Sequence, residues 1–143
     1  MHVLQTSSGA AATRASAGLP PRVLVVDDDK AIRTLVRTIL TRNAYLVQTA
    51  RNGEEAIDAM AGSKFDVIIL DPMMPKVDGF EVIEQMARTA PEQLRRRVIV
   101  LTAVASKDLG KMDGIRVFRV IRKPFDLNDL VSAVAECADG DGG

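Results

Sequence analysis

The sequence predicts an α/β fold, a doubly wound parallel sheet of five strands covered by five helices. Short apolar runs, typical of strands buried on both faces, alternate with segments whose apolar residues recur at helical spacing. Parallel neighbours need such crossover connections, which are almost always right-handed. In a sheet of this kind the functional crevice lies at the carboxyl ends of the strands.

The first strand and the first helix form the clearest pair. The run RVLVV (22–26) predicts a buried strand, and three aspartates follow it directly. Asp29, the last of the three, is placed to cap a helix that Asn43 would end. The apolar residues of that helix recur at the spacing of one face and are Ile32, Leu35, Val36, Ile39 and Leu40.

The pattern then repeats with a second strand and helix and a third strand. The segment YLVQTA (45–50) alternates like a strand. After the Asn52-Gly53 turn, EEAIDAMA (54–61) predicts a short helix. Its inward residues are Ala56, Ile57 and Met60. The third strand, FDVIIL (65–70), is apolar except for one aspartate and runs into Asp71.

A third helix is predicted from about Phe80 to Thr89, and Pro91 is expected to close it. Its inward residues are Val82, Ile83, Met86 and Ala87. The basic run 95–97 is short and has no aromatic neighbours, which favours a solvated loop over a phosphate-binding patch. The run VIVLTA (98–103) predicts the fourth strand.

The last third of the chain predicts a weak helix, a strand and a final helix. SKDLGKMD (106–113) is short and carries Gly110, which lowers its helix propensity. VFRVI (117–121) predicts the fifth strand. Asp126, three residues ahead of Asp129, is placed to cap a helix whose inward residues are Leu127, Leu130, Val131 and Val134.

Length and composition bound the domain organisation. A chain of 143 residues with 47% hydrophobic content has room for one domain with a proper core. Residues 1–20 are rich in Ala, Ser, Thr and Gly, so we expect a flexible N-terminal tail, a domain over 21–138 and a flexible tail over 139–143. The N-terminal stretch does not resemble a signal peptide, and no window approaches the ~18 apolar residues of a membrane span.

Charge and reactive residues exclude several function classes. Nineteen basic and nineteen acidic residues give a formal net charge of zero, so no global charge attracts nucleic acid or an anionic membrane. The single histidine, His2, lies in the predicted tail, which leaves no material for a histidine-based site. The single cysteine, Cys137, cannot form an internal disulfide and is interpreted as a small apolar helix residue; this usage suits a reducing cytoplasm.

Polar residues stand where four of the predicted strands end. Asp27 and Asp28 follow the first strand, Asp71 the third, Thr102 closes the fourth and Lys123 follows the fifth. Carboxylates gathered in one crevice repel each other unless a cation is present, and Mg²⁺ prefers carboxylate and water oxygens. Lys123 would add a positive charge and Thr102 a hydroxyl donor. This set would suit a phosphoryl group carried on Asp71 as the nucleophile.

Any one of these residues, taken alone, has a simpler explanation as a cap, a turn former or a surface lysine. Asp29 is interpreted in that way, as a cap. Four groups of complementary type at the exits of four strands favour a functional site over coincidence. Met73 and Met74 are interpreted as gap fillers, because Mg²⁺ does not bind thioether sulfur.

The chain resembles the response-regulator receiver domains of two-component signalling from about Arg22 to Ala138. The resemblance is carried by VLVVDDD, LDPMMPKVDG, VIVLTA and KPF, in this order and spacing. It implies a flavodoxin-like strand order 2-1-3-4-5. It also implies Asp71 as phosphoacceptor, Thr102 as switch residue and Lys123 as the lysine of the phosphorylation site. It also implies a single-domain regulator that is not an enzyme but assists its own phosphorylation and dephosphorylation.

The same resemblance implies a cofactor and a ligand set. Asp28, Asp71 and the backbone carbonyl of Met73 would hold Mg²⁺, with Asp27 acting largely through bound water. A cis peptide bond before Pro124 is also implied. One position departs from the family: Val120 stands where most receivers place an aromatic switch residue, so the aromatic half of the switch is missing.

The implied partners are a histidine kinase or histidine phosphotransfer protein and a downstream protein target in the cytoplasm, without direct contact to nucleic acid or membrane. A receiver cut from a longer regulator would have the same sequence pattern. Two alternatives stay open. One is a haloacid-dehalogenase-like phosphatase with Asp27 as nucleophile and Asp29 as acid, and the other is a receiver-fold binding module that is never phosphorylated.

Overall fold

The computed structural model describes residues 18–73, 79–103 and 114–140. Its five strands form one parallel sheet in the order β2-β1-β3-β4-β5, which confirms the predicted topology. The strands are β1 (Arg22–Val26), β2 (Leu46–Ala50), β3 (Val67–Leu70), β4 (Val98–Thr102) and β5 (Arg119–Arg122). The helices are α1 (Lys30–Arg42), α2 (Gly53–Gly62), α3 (Gly79–Thr89), α4 (Pro91–Arg97) and α5 (Leu127–Asp139).

The three central strands β1, β3 and β4 are almost entirely buried, whereas the edge strands β2 and β5 are partly exposed. Successive side chains of a strand point to opposite faces of the sheet. On one face, Leu24 and Val26 of β1 belong to a core that includes residues of α2, α3 and α4. On the other face, Val23 and Val25 belong to a core built with α1 and α5. Continuous apolar strands are therefore required here, since both sides of each central strand contact helices.

Local capping explains where three helices begin. The Asp29 side chain accepts hydrogen bonds from two backbone N–H groups at the start of α1, and Asp126 does the same for α5. Asn52 accepts from the N–H of Glu55 at the start of α2. Both predicted aspartate caps are confirmed, and Asn43 is the C-terminal cap of α1 as predicted.

The segment around Pro91 was predicted wrongly. Pro91 does follow the end of α3, but it also begins the short helix α4, and the basic run 95–97 forms the last turn of that helix instead of a loop. Proline is favoured in the first turn of a helix because its missing N–H has no intrahelical partner there. Leu94 anchors α4 because its side chain is buried in the core.

Other differences from the predictions are smaller. Leu35 was placed on the inward face of α1 but is exposed, whereas Val36 and Leu40 are buried. The fifth strand begins at Arg119, two residues later than predicted. The weak helix predicted over 106–113 lies outside the described residues, as does most of the predicted N-terminal tail. No helix in the described ranges is both long enough and apolar enough to cross a bilayer.

Cys137 is a buried residue of α5, as predicted. Its Sγ donates to the backbone carbonyl of Arg96 at 3.1 Å. Burial raises the pKa of this thiol from 9.0 to about 12, and the charges of Arg97 and Arg119 only partly oppose the rise. The thiol is therefore neutral in the folded protein at physiological pH.

The raised pKa of Cys137 predicts a loss of stability at alkaline pH. Between pH 9 and 12 the unfolded chain loses the thiol proton while the folded protein keeps it, which favours unfolding. From pH 8 to pH 10 we expect the free energy of unfolding to fall by about 1.4 kcal/mol more than in a Cys137→Ala variant. Urea denaturation of both proteins measures this difference, and parallel pH profiles would contradict the prediction.

Candidate functional site

The predicted polar residues meet at the carboxyl edge of the sheet. β1 and β3 are neighbours, so Asp27 and Asp71, which follow them, stand side by side. The backbone N–H of Asp71 donates to the carbonyl of Val26 at 3.0 Å. On the other side, the N–H of Lys123 donates to the carbonyl of Thr102 at 2.8 Å. Backbone hydrogen bonds thus hold the exits of four strands in one row.

Three carboxylates converge at this edge. One oxygen from each of Asp27, Asp28 and Asp71 lies within 4.8 Å of the others. Asp27 and Asp71 are only 2% and 6% exposed, whereas Asp28 faces solvent. Oxygen ligands with partial access to water match the preference of Mg²⁺, which keeps several waters and binds few protein carboxylates. The donor set therefore fits this ion.

Lys123 reaches back over the acidic cluster. Its Nζ donates to Asp27 Oδ2 at 2.8 Å and to Asp71 Oδ2 at 3.1 Å. The side chain is mostly buried, with 17% exposed. The peptide bond between Lys123 and Pro124 is cis, as the family resemblance implied. The structure thus brings this lysine into contact with two of the carboxylates.

Burial and charge act in opposite directions on the ionisable groups here. Burial raises the pKa of Asp71, and the charge of Asp27 adds to this, while hydrogen bonds from Met73 N–H and Lys123 oppose it. Burial pulls the pKa of Lys123 down, but its hydrogen bonds to Asp27 and Asp71 outweigh that effect and leave the pKa raised. A second cation would relieve the remaining cost of the buried carboxylates.

Short-range hydrogen bonds orient the two buried carboxylates. Asp71 Oδ1 accepts from the backbone N–H of Met73 at 2.9 Å, and Asp27 Oδ1 accepts from the N–H of Asp29 at 2.9 Å. Asp29 itself uses its side chain to cap α1, as predicted. Each buried aspartate therefore has one oxygen bound to the backbone and the other bound to Lys123.

Arg33 is a site residue that the sequence did not reveal. It lies one turn into α1, and its Nη1 donates to the backbone carbonyl of Asp27 at 2.7 Å. The bond ties the acidic loop to the helix that follows it. Arginine is common in exposed helix positions, so the sequence carried no signal that this residue turns toward the loop.

Gly79 gives the loop after β3 its close packing against α3. A Cβ atom on Gly79 would meet the carbonyl oxygen of Asp71 and lie 2.5 Å from the Cα of Pro72. The N–H of Phe80 also donates to the carbonyl of Pro72 at 3.2 Å. Only glycine allows the helix start to approach the backbone of Asp71 this closely.

The remaining predicted residues differ in position and exposure. Thr102 is completely buried at the end of β4, whereas the side chain of Met73 is half exposed. Val120, on the edge strand β5, is 42% exposed. Met74 lies outside the described residues.

Replacing Lys123 by Met tests how much the lysine stabilises this edge. We expect the free energy of unfolding at pH 7 to fall by about 2 kcal/mol, because two buried carboxylates lose a charged hydrogen-bond donor. Since the pKa of Lys123 is raised, its contribution is complete below its ordinary pKa of 10.5 and is lost as the pH rises through the raised value.

Denaturant titrations of the Lys123→Met variant at pH 7 and at pH 11 measure the effect. Lys30→Met is the matched control, because Lys30 is an exposed lysine at the start of α1. We expect the control to differ little from the original protein at either pH. Equal stability of the two variants at pH 7 would contradict the prediction.

Comparison with known proteins identifies the family. The response regulator receiver domain matches residues 23–135. Response regulator MprA of Mycolicibacterium vanbaalenii is 39% identical over 121 residues, which cover 80% of this chain and 48% of that protein. MprA of Mycobacterium avium is 39% identical over 118 residues, with 78% and 48% covered. This chain thus spans about half the length of the curated relatives it matches.

The solved structures that resemble this chain are also response regulators. Response regulator protein TrrA from Thermotoga maritima, in complex with Mg(2+)-BeF, is 31% identical with a TM-score of 0.70, covering 82% of this chain and 98% of that one. Chemotaxis response regulator CheY4 of Vibrio cholerae is 29% identical with a TM-score of 0.72 and the same coverage. The family match, the five-stranded topology and the acidic edge lead to one conclusion: the chain belongs to the response regulator receiver domains of two-component signalling.

Proposed function

We propose that this receiver domain takes a phosphoryl group onto Asp71 from a phosphohistidine of a histidine kinase or histidine phosphotransfer protein and passes the signal on through protein contacts. The observation that carries the proposal is the position of Lys123, whose Nζ contacts both Asp27 and Asp71 at the acidic edge. A lysine in this place balances the charge of a carboxylate that must be ionised to act as a nucleophile.

The proposed transfer exchanges one phosphorus bond for another. A carboxylate oxygen of Asp71 forms a bond to phosphorus while the bond between phosphorus and the donor imidazole nitrogen breaks, and that nitrogen keeps the electron pair. Asp27, Asp28, Asp71 and the backbone carbonyl of Met73 would hold Mg²⁺. Bound there, the ion would neutralise phosphoryl oxygens.

Lys123 and Thr102 are the residues that we propose contact the phosphoryl group once it is on Asp71. Lys123 would keep its contact with Asp27 and turn its charge toward the new anion. The Thr102 hydroxyl, at the end of the neighbouring strand, would donate to a phosphoryl oxygen. Val120 is already exposed and has no aromatic ring to reposition, so the proposed response does not include an aromatic switch at this position.

The test is to incubate the protein with Mg²⁺ and a small phosphodonor and to map the adduct by mass spectrometry. The proposal expects one phosphoryl group, on the peptide that contains Asp71. Beryllofluoride in place of the phosphodonor should give a Mg²⁺-dependent complex at the same residue. An adduct elsewhere, or none under conditions that label another receiver, would refute the proposal.

An assay of phosphate-ester hydrolysis and an assay of partner binding, run beside the labelling experiment, separate the two alternatives. A phosphatase with Asp27 as nucleophile would hydrolyse phosphate esters even in an Asp71→Asn variant. The contacts argue against that reading, because the Asp29 side chain caps α1 and Asp27 is bonded to Lys123. A receiver fold that acts only as a binding module would remain unlabelled while still binding its partner.

The lifetime of the proposed aspartyl phosphate should depend on the residue at position 73. Met73 is half exposed beside Asp71 and has no group that can orient an attacking water. We expect Met73→Gln to shorten the phosphoryl half-life by about tenfold or more, because an amide can hold that water in place. Met73→Leu is the matched control without an amide. Equal half-lives for the Gln and Leu variants would contradict the prediction.

A further inference from the structure

A cavity of about 910 Å³ lies between α2 and α3 at the opposite edge of the sheet from Asp71. It is bounded by the first residue of β1, by the residues just before β3 and by the last residue of α4. Strands of four or five residues at about 3.3 Å each separate this edge from the acidic cluster. Its volume is in the range of small-molecule sites, about 300–1,000 Å³.

One wall of the cavity is apolar. It is formed by side chains of α2, β3 and α3 and of the segment before β3: Ile57, Met60, Phe65, Ile68, Val82 and Met86. Several of them are buried core residues, so the wall is a fixed surface of the folded domain. Burial of a ligand's apolar surface against this wall would contribute favourably to its binding free energy.

The other side of the cavity is basic. Among the described lining residues, Arg22, Lys64 and Arg97 are the three basic side chains and Asp66 is the one acidic side chain, which leaves a net formal charge of +2. Asp66 is buried; its Oδ1 lies 3.7 Å from Arg97 Nη1, and its Oδ2 accepts from the backbone N–H of Arg22 at 2.8 Å. The carboxylate is thus held by the protein itself.

The two arginines are held in place by contacts with Phe65. The guanidinium of Arg22 lies 5.5 Å from the centre of the Phe65 ring, and Arg97 Nη1 donates to the Phe65 carbonyl at 3.3 Å. The Nε of Arg97 is buried without a hydrogen-bond acceptor in the part of the chain that the structure describes. With one carboxylate against three basic side chains, positive charge remains incompletely compensated beside the apolar wall.

We propose that this cavity is a second binding site, for an amphipathic anion: a carboxylate or sulfonate that carries an unbranched or cyclic apolar body. The anionic group would lie toward Arg22 and Lys64, and the apolar body would pack against Met60, Phe65 and Met86. The site is independent of phosphorylation at Asp71.

Decanoate is a suitable probe, at concentrations below its micelle threshold. In a titration of the full chain followed by amide NMR, we expect saturable shifts at residues that line the cavity and none centred on Asp71. Decylammonium, with an equally long chain and the opposite charge, should bind at least tenfold more weakly. Acetate, which has the charge without the chain, should give no saturable shift.

Two exposed lysines provide matched variants. Lys64→Glu should weaken decanoate binding at least tenfold, whereas Lys30→Glu makes the same charge change at the opposite edge and should leave affinity unchanged. Asp71→Asn should bind decanoate normally, which separates this proposal from the proposed phosphorylation. Shifts centred outside the cavity, equal binding of decylammonium, or an unaltered affinity in Lys64→Glu would overturn it.

Discussion

Asp71→Asn is expected to abolish phosphoryl incorporation from a small phosphodonor. The amide nitrogen and oxygen of asparagine keep the shape of the side chain but cannot form the acyl phosphate. The measurement is intact-protein mass spectrometry after incubation with Mg²⁺ and phosphodonor. We expect no phosphorylated protein in the variant under conditions that label most of the original protein.

Asp58→Asn is the matched control for this experiment. Asp58 is an exposed aspartate of α2, so its replacement removes the same charge without touching the acidic edge. The control should be labelled like the original protein. Labelling of Asp71→Asn to the same extent as Asp58→Asn would show that another residue accepts the phosphoryl group.

The same substitution should raise stability when no metal is added. Burial raises the pKa of Asp71, which means that the fold disfavours the ionised form. The free-energy cost of ionising this buried carboxyl is absent below its ordinary pKa of 3.8 and is complete once the pH has risen through the raised pKa. The Asp71→Asn variant should therefore be more stable than the original protein at pH 7 and differ little from it at pH 3. Urea denaturation at both pH values, in buffer with a chelator, measures the gain.

Gly79→Ala is expected to have the largest effect on stability. The added Cβ would meet the backbone carbonyl of Asp71 and the Cα of Pro72, and backbone atoms cannot move aside as a flexible side chain can. Gly79 is also buried, so the extra methyl has no route to solvent. We expect the free energy of unfolding to fall by about 3 kcal/mol.

Gly62→Ala provides the control for Gly79→Ala. Gly62 is the last residue of α2, and Gly79 is the first residue of α3. A Cβ on Gly62 would meet no atom within 4 Å. Alanine has the higher helix propensity, so this variant should be as stable as the original protein or gain up to about 1 kcal/mol. Equal stabilities of the two variants, measured by urea denaturation, would contradict the predicted clash.

The Gly79→Ala variant should also label slowly at temperatures where it is still folded. Any shift that accommodates the methyl group moves the backbone of Asp71 and Pro72, and with it the carboxylate that Lys123 contacts. Gly62→Ala lies away from the acidic edge and should label at the normal rate. The pair therefore distinguishes a local displacement of Asp71 from a general loss of stability.

Much of the fold was predictable because its determinants are local. Apolar runs or alternating apolar residues indicated the five strands, and capping aspartates indicated the starts of two helices, because these patterns depend on neighbours a few positions apart. The segment after Thr89 was not predictable in this way. Proline can follow the end of one helix and begin the next, because its fixed φ suits a first helical turn. The short helix that it begins is anchored in the core by Leu94, a long-range contact.

By itself, the sequence determined which residues stand where strands end: Asp27, Asp71, Thr102 and Lys123. The tertiary structure decided which of them touch. Lys123 is 96 positions from Asp27 along the chain, and their contact exists only because β1, β3, β4 and β5 lie side by side in this order.

Tertiary packing also decided the role of Arg33 beside Asp27 and the enclosure of Asp66 and Arg97 at the far edge. Arginines and aspartates are ordinary surface residues in any sequence pattern. Their partners are set by how helices pack on the two faces of the sheet, and that packing is a long-range property that local periodicity does not encode.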